Sequence, residues 1–169
     1  VYQGDKLKGT CTLHIGGRLI EFEHNLVKSI SPPIQALIKR EGWDLKEGDN
    51  NSHPSIGKII GRMAKVIAGI LRKEPDPNDD VLLLGHKPNW GCPVDMVMFS
   101  GGIAECMYRL EKPGHSKAVY DDIGWQLAEA LRKEAELQVW EWVVPEETVR
   151  ATVLGAGMQT TNISGATIQ

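Results

Sequence analysis

The sequence predicts an α/β chain, and three observations predict it. Asp95-Met96-Val97-Met98-Phe99 reads as a fully buried strand, Ser100-Gly101-Gly102 turns the chain, and Ile103, Met107 and Leu110 then recur at helical spacing. Residues 54–73 carry the longest apolar stripe, with Ile56, Ile59, Ile60, Met63, Val66, Ile67, Ile70 and Leu71 on one side of a helix. Short apolar runs at 7–15, 81–84 and 137–144 supply further strands. In open α/β sheets, ligands lie at the carboxyl ends of strands, where paired glycines let the backbone approach and a helix N-terminus offers unpaired amides. Ser100, Gly101 and Gly102 are therefore ligand-contact candidates, and the same glycines equally suit a tight turn with no ligand.

Residues 1–22 read as antiparallel. Gly4-Asp5 makes a first turn, 7–15 a strand with Cys11, Leu13 and Ile15 on one face, and Gly16-Gly17 a second turn into 18–22. Ser31 can cap a helix that carries Pro32 and Pro33 in its first turn, buries Ile34, Leu37 and Ile38, and stops at Gly42. Residues 43–52 are polar, acidic and loop-like. In the helix of 54–73, Gly57, Gly61, Ala64 and Ala68 form a side with little bulk, which predicts a close neighbour because each interior glycine costs about 1 kcal/mol relative to alanine. Lys58, Arg62 and Lys65 form a basic row whose ordinary fate is a solvated face.

Residues 74–80 read as a linker, 81–84 as a short buried strand and 86–93 as a loop. Pro113 and Gly114 break the chain after the third helix. Asp121 or Asp122 caps a helix with Ile123, Leu127 and Leu131 inward that ends near Ala135, and 137–144 forms a strand with Trp140 and Trp142 on one side. Pro145-Glu146-Glu147 opens a last helix, which Gly155-Ala156-Gly157 interrupts before 160–169 resume in extended form.

The totals narrow the function classes. With 169 residues, 41% of them hydrophobic, the chain can bury a real core as one fragment spanning 1–169. A net charge of −3 and five Trp, three Tyr and two Phe disfavour nucleic acid as a partner. No membrane span is present. Three separated cysteines fit reduced thiols and a cytosolic setting. The chain starts on Val1, and Val1-Tyr2-Gln3 reads as the end of a strand already under way, as in an excised fragment with chemistry upstream.

Several reaction types lack their residues. His14, His24, His53, His86 and His115 are scattered, so no metal site is predicted. Ser100 has Met98, not glycine, two residues before it and is no nucleophile elbow. Gly155-Ala156-Gly157 has Thr160 in place of a dinucleotide fingerprint's third glycine, and no Walker-type loop occurs. No catalytic residue is predicted.

Five stretches in order resemble one family, the ethanolamine ammonia-lyase reactivating factors of the actin-like ATPase superfamily. They are His14-Ile15-Gly16-Gly17-Arg18-Leu19-Ile20, Val97-Met98-Phe99-Ser100-Gly101-Gly102-Ile103-Ala104-Glu105, Tyr120-Asp121-Asp122-Ile123-Gly124, Val149-Arg150-Ala151-Thr152-Val153-Leu154-Gly155-Ala156-Gly157 and Ser164-Gly165-Ala166-Thr167-Ile168. The resemblance implies an actin-like ATPase (ribonuclease H-like) fold, of which the chain is the C-terminal lobe, a mixed sheet flanked by helices. It implies that Ser100, Gly101 and Gly102, with Ile103 and Glu105 adjacent, contact adenosine, and that Gly155, Ala156 and Gly157 form a second connecting segment. It moves Arg62 and Lys65 from solvated face towards base and ribose contact.

Two phosphate-binding loops of that superfamily are not in this sequence, so the resemblance implies ATP and Mg²⁺ in the intact protein, none held tightly by the fragment, and no catalysis by the fragment alone. The implied function is a chaperone that uses ATP to free ethanolamine ammonia-lyase of damaged adenosylcobalamin, in the cytosol and in association with an ethanolamine microcompartment. The lyase is the implied partner, and a homo-oligomer is left open. A different class of reading is a non-catalytic assembly module, with Trp140 and Trp142 as an interface pair; a kinase of the same superfamily ranks last.

Overall fold

An apolar stripe becomes a core only when other elements close over it, and the 54–73 helix shows how that is done here. The computed structural model describes residues 1–109 and 121–145. The chain opens with β1 (Tyr2–Gln3) and β2 (Lys6–Leu7), an antiparallel pair around Gly4, then β3 (Thr12–Leu13) and a 3₁₀ turn, Gly17–Leu19. β4 (Ile20–Glu23) and β5 (Leu26–Ile30) form a hairpin through His24 and Asn25, both at positive φ, 52° and 65°. That geometry fits a type I′ turn, whose twist matches the flanking strands. The predicted strand over 7–15 thus survives only as Leu7 at the end of β2 and the two residues of β3, and the second hairpin turns at His24 and Asn25 instead of Gly16-Gly17.

α1 (Pro32–Glu41) buries Ile34, Leu37 and Ile38 and ends at Gly42 in the left-handed conformation, φ 65°, as predicted. The Ser31 side chain makes no capping bond. α2 (Pro54–Arg72) buries Ile56, Ile59, Ile60, Met63, Val66 and Ile70, while Ile67 and Leu71 pack at the core's margin. Residues 74–80 are more than a linker: Pro77–Leu82 is a 3₁₀ helix packed on α1, and only β6 (Leu83–Leu84), paired with β3, is a strand. Proline at its first position and the Asp76 side chain accepting from the Asn78 amide at 2.8 Å favour that helical turn.

β7 (Met96–Met98) leads into α3 (Gly102–Arg109), which packs on α4 (Gly124–Lys133). α4 also packs on α2, and its Ile123, Leu127 and Leu131 side lies inward as expected. The residue at the helix cap is Ile123, which makes no side-chain capping bond, in place of the expected Asp121 or Asp122; Asp122, one residue earlier, accepts from the Gly124 amide through Oδ1 at 2.7 Å. A bridge between Glu21 and Asp122 ties β4 to that start. A 3₁₀ turn, Ala135–Leu137, precedes β8 (Glu141–Val143), which lies parallel to β7 with Val97 opposite Trp142. The predicted strand over 137–144 therefore shrinks to its last part.

Among the described residues the strands form four two-stranded pairs, three antiparallel and one parallel. The architecture is mixed α/β as predicted, but the one mixed sheet is not assembled from these strands. No helix among the described residues is long and apolar enough to cross a membrane.

Candidate functional site

β7 does not form the fully buried five-residue strand that the sequence predicts. Only Val97 is buried, while Met96 and Met98 are 59% and 56% exposed. The strand ends in an anchored exit. The Phe99 ring meets Trp142 edge-on at 5.0 Å, and the Tyr108 hydroxyl donates to the Phe99 carbonyl at 3.2 Å. Gly101 then takes φ 93°, a conformation that L side chains rarely adopt, and its carbonyl accepts the first helical bond, from the Glu105 amide at 3.0 Å.

Strand exit and helix start thus fix Ser100 and Gly102 at an exposed corner. A Cβ built on Gly101 or Gly102 meets nothing within 4 Å, so core side chains do not plug the bend. The first-turn amides of α3 lie at this corner, at the positive end of the helix dipole. Ile103 is half-buried towards α4, and Glu105 sits half-buried in the first helical turn.

Arg62 and Lys65 lie elsewhere, on α2. The Arg62 guanidinium is held by carboxylates: Nε–Asp79 Oδ1 at 2.6 Å, Nη2–Asp76 Oδ2 at 3.6 Å and Nη2–Glu41 Oε1 at 3.9 Å. Asp79 is only 7% exposed. Burial pushes its carboxyl above the usual range, against the pull of Arg62. Arg62, Lys65 and Arg72 share a cavity of about 190 Å³ with Glu74 and Glu136, and none of residues 100–105 lines it. Arg62 is therefore neither solvated nor beside the turn, while Lys65 is exposed at the cavity's rim. Sequence reasoning missed the partners of Arg62 because Asp76 and Asp79 read as linker acids.

Gly57 and Gly61 were expected to admit a close neighbour, yet a Cβ on either meets nothing within 4 Å. They line an open groove of about 450 Å³ beside α4, whereas Ala64 and Ala68 are the small residues that are buried. Trp140 and Trp142 are half-buried against the core and donate to the Val94 and Leu137 carbonyls at 2.8 and 2.9 Å, which leaves no exposed tryptophan pair. Among the described residues no group of three or more His, Cys, Asp or Glu could hold a metal ion. Gly155, Ala156 and Gly157 lie outside the described residues, as do Leu110, the break at Pro113 and Gly114, and the predicted last helix.

The chain matches, over residues 1–169, the family described as ethanolamine utilisation protein EutA. It belongs to the EutA family. The resemblance read from the five ordered stretches is thereby borne out at the level of the reactivating factors. Ethanolamine ammonia-lyase reactivase EutA of Escherichia coli strain K12 is 30% identical over 172 residues, covering 99% of this chain and 36% of that protein. The reactivase EutA of Salmonella typhimurium strain LT2 is 32% identical over 170 residues, with the same coverage of 99% and 36%. The chain thus spans about a third of the length of these curated EutA relatives. No solved structure matches it.

Proposed function

We propose that this chain is the C-terminal lobe of a reactivating chaperone that uses ATP to free ethanolamine ammonia-lyase of damaged adenosylcobalamin. The observation that carries the reading is the open corner after β7: a fixed strand exit, Gly101 at φ 93° and a helix N-terminus with room beside both glycines, in a member of the EutA family. Adenosine fits such a corner, because exposed backbone at Ser100, Gly101 and Gly102 offers donors and acceptors without a side chain in the way. Ile103 supplies an apolar wall and Glu105 a carboxylate one helical turn further on. Arg62 and Lys65 stay outside the proposed contact surface, because Arg62 is held by carboxylates and the cavity they share is lined by none of residues 100–105. The resemblance also assigns nucleotide contact to Gly155, Ala156 and Gly157, which lie outside the described residues.

When bound, ATP with Mg²⁺ supplies phosphoryl transfer energy, and the metal and phosphate contacts in this reading come from the longer protein. The corner's part is to bind and orient the nucleoside, so that ATP and its product favour different lobe arrangements with different affinities for the lyase. The partner is the lyase, in the cytosol and at an ethanolamine microcompartment. The test is to add full-length protein, ATP and Mg²⁺ to cobalamin-inactivated lyase and follow ammonia release. Recovery that requires ATP supports the assignment, and no recovery contradicts it.

A further inference from the structure

Three segments that lie far apart in sequence meet beside the open corner. The Ile123 amide is shared between the Gly17 and Ile20 carbonyls, each at 3.3 Å, and the Phe22 amide donates to the Asp121 carbonyl at 2.7 Å. The 3₁₀ turn and β4 thus grip residues 121–123 by their backbone. A Cβ built on Gly17 would stand 2.9 Å from Gly124 Cα, and one built on Gly124 would stand 3.3 Å from Ile103 Cδ1, so these surfaces touch with no room for a methyl group between them. Ile103 follows Gly102 directly. The start of α4 is therefore the floor on which the start of α3 rests, and further along the Arg132 guanidinium of α4 donates to the Met107 carbonyl of α3 at 3.0 Å.

One side chain sets the height of that floor. Gly124 is buried, and as the first residue of α4 its amide has no acceptor within the helix. It donates to Asp122 Oδ1 at 2.7 Å, and the same oxygen lies 2.9 Å from the Cβ position of Gly17. We propose that Asp122 is a positioning residue for nucleotide binding, which fixes the start of α4 against Gly17 and, through Ile103, sets where the Ser100, Gly101 and Gly102 backbone stands. The role rests on the nucleotide reading of the corner. Without the carboxylate oxygen a buried N–H is left unsatisfied, so the helix start must shift to reach another acceptor. Close-packed interiors leave little slack, and the shift passes from Gly124 to Ile103 and the corner.

The experiment compares the full-length parent with Asp122→Ala, Asp122→Asn and Ile38→Val. Asparagine keeps an oxygen acceptor at the same reach, and Ile38→Val thins the core at the end of α1, an element outside the junction, as a control for general loss of stability. Without nucleotide, amide hydrogen exchange over residues 100–106 should be about fivefold faster in Asp122→Ala and within about twofold of the parent in the other two. Calorimetric titration with ATP and Mg²⁺ should give about fivefold weaker binding to Asp122→Ala, again with Asp122→Asn and Ile38→Val within about twofold of the parent. Unchanged exchange in Asp122→Ala, an asparagine variant as weak as the alanine one, or an equal loss in Ile38→Val would overturn the proposal. A parent that binds no ATP overturns the nucleotide reading and the role with it, whereas equal ATP affinities in parent and Asp122→Ala overturn the role alone.

Discussion

α2 and β7 both carry aliphatics and methionines, as an apolar stripe on the helix and as a short apolar run in the strand, yet the chain treats them in opposite ways. Met63 on α2 is 0% exposed, with α4 packed against that helix, while Met96 and Met98 on β7 are 59% and 56% exposed. Apolar content is the same in kind; what differs is whether a second element from the chain covers the other side. The 54–73 stripe is closed within the chain. The β7 strand is covered on its Val97 side alone, and its exit carries a corner where glycine backbone meets open space beside the start of α3.

Substitutions should reproduce that contrast in the stability of the full-length protein. Met63→Ala removes a fully buried side chain and is expected to cost about 3–4 kcal/mol, whereas Met98→Ala should cost under about 0.5 kcal/mol, read as shifts in the denaturant midpoint. Equal shifts would mean that β7 is as enclosed as α2.

Arg62 sharpens the α2 side. Arg62→Ala leaves the Asp79 carboxylate buried without its cation, at an expected cost of about 3 kcal/mol near neutral pH. The pH dependence has a definite sign. Burial already holds the Asp79 carboxyl above its ordinary 3.8, and loss of Arg62 raises it further. The folded state then holds that proton more tightly than the unfolded chain, so stability falls as pH rises through the folded value. The Arg62→Ala deficit should therefore shrink below pH 3.8 and be complete well above it; a deficit independent of pH would remove Asp79 from the account.

A smaller effect compares two glycines. A Cβ at Gly17 would lie 2.9 Å from Asp122 Oδ1 and 2.9 Å from Gly124 Cα, so Gly17→Ala should disturb the start of α4 and cost about 1–2 kcal/mol. Gly102→Ala meets nothing and should leave the unfolding midpoint within about 0.5 kcal/mol of the parent.

Much of the helical framework was legible in the sequence because helix signals are local. Pro32 and Gly42 bracket α1, the 54–73 stripe gives α2, and Ile123, Leu127 and Leu131 give the buried side of α4. Strands were less legible, since their partners are distant in sequence. The His24 and Asn25 turn lacks the glycine that marks most type I′ hairpins, so the β4–β5 pair went unread. β7 looked buried because the run of four apolar residues after Asp95 carries no information about which side is left uncovered. Of the candidate site, the Ser100, Gly101 and Gly102 turn and its helix were readable from their glycines. Ion pairing of Arg62 by Glu41, Asp76 and Asp79 was not, because it depends on how a 3₁₀ turn folds back onto α1 and α2.

The central claim is that the corner after β7 touches a nucleotide. The direct measurement is calorimetric titration of ATP with Mg²⁺ into the full-length protein and into its Gly102→Leu variant, whose added side chain meets no atom at its Cβ. The account predicts saturable binding to the parent and at least about tenfold weaker binding to the variant, with unchanged unfolding midpoints. Equal affinities in the two proteins, or no binding to the parent, would contradict it.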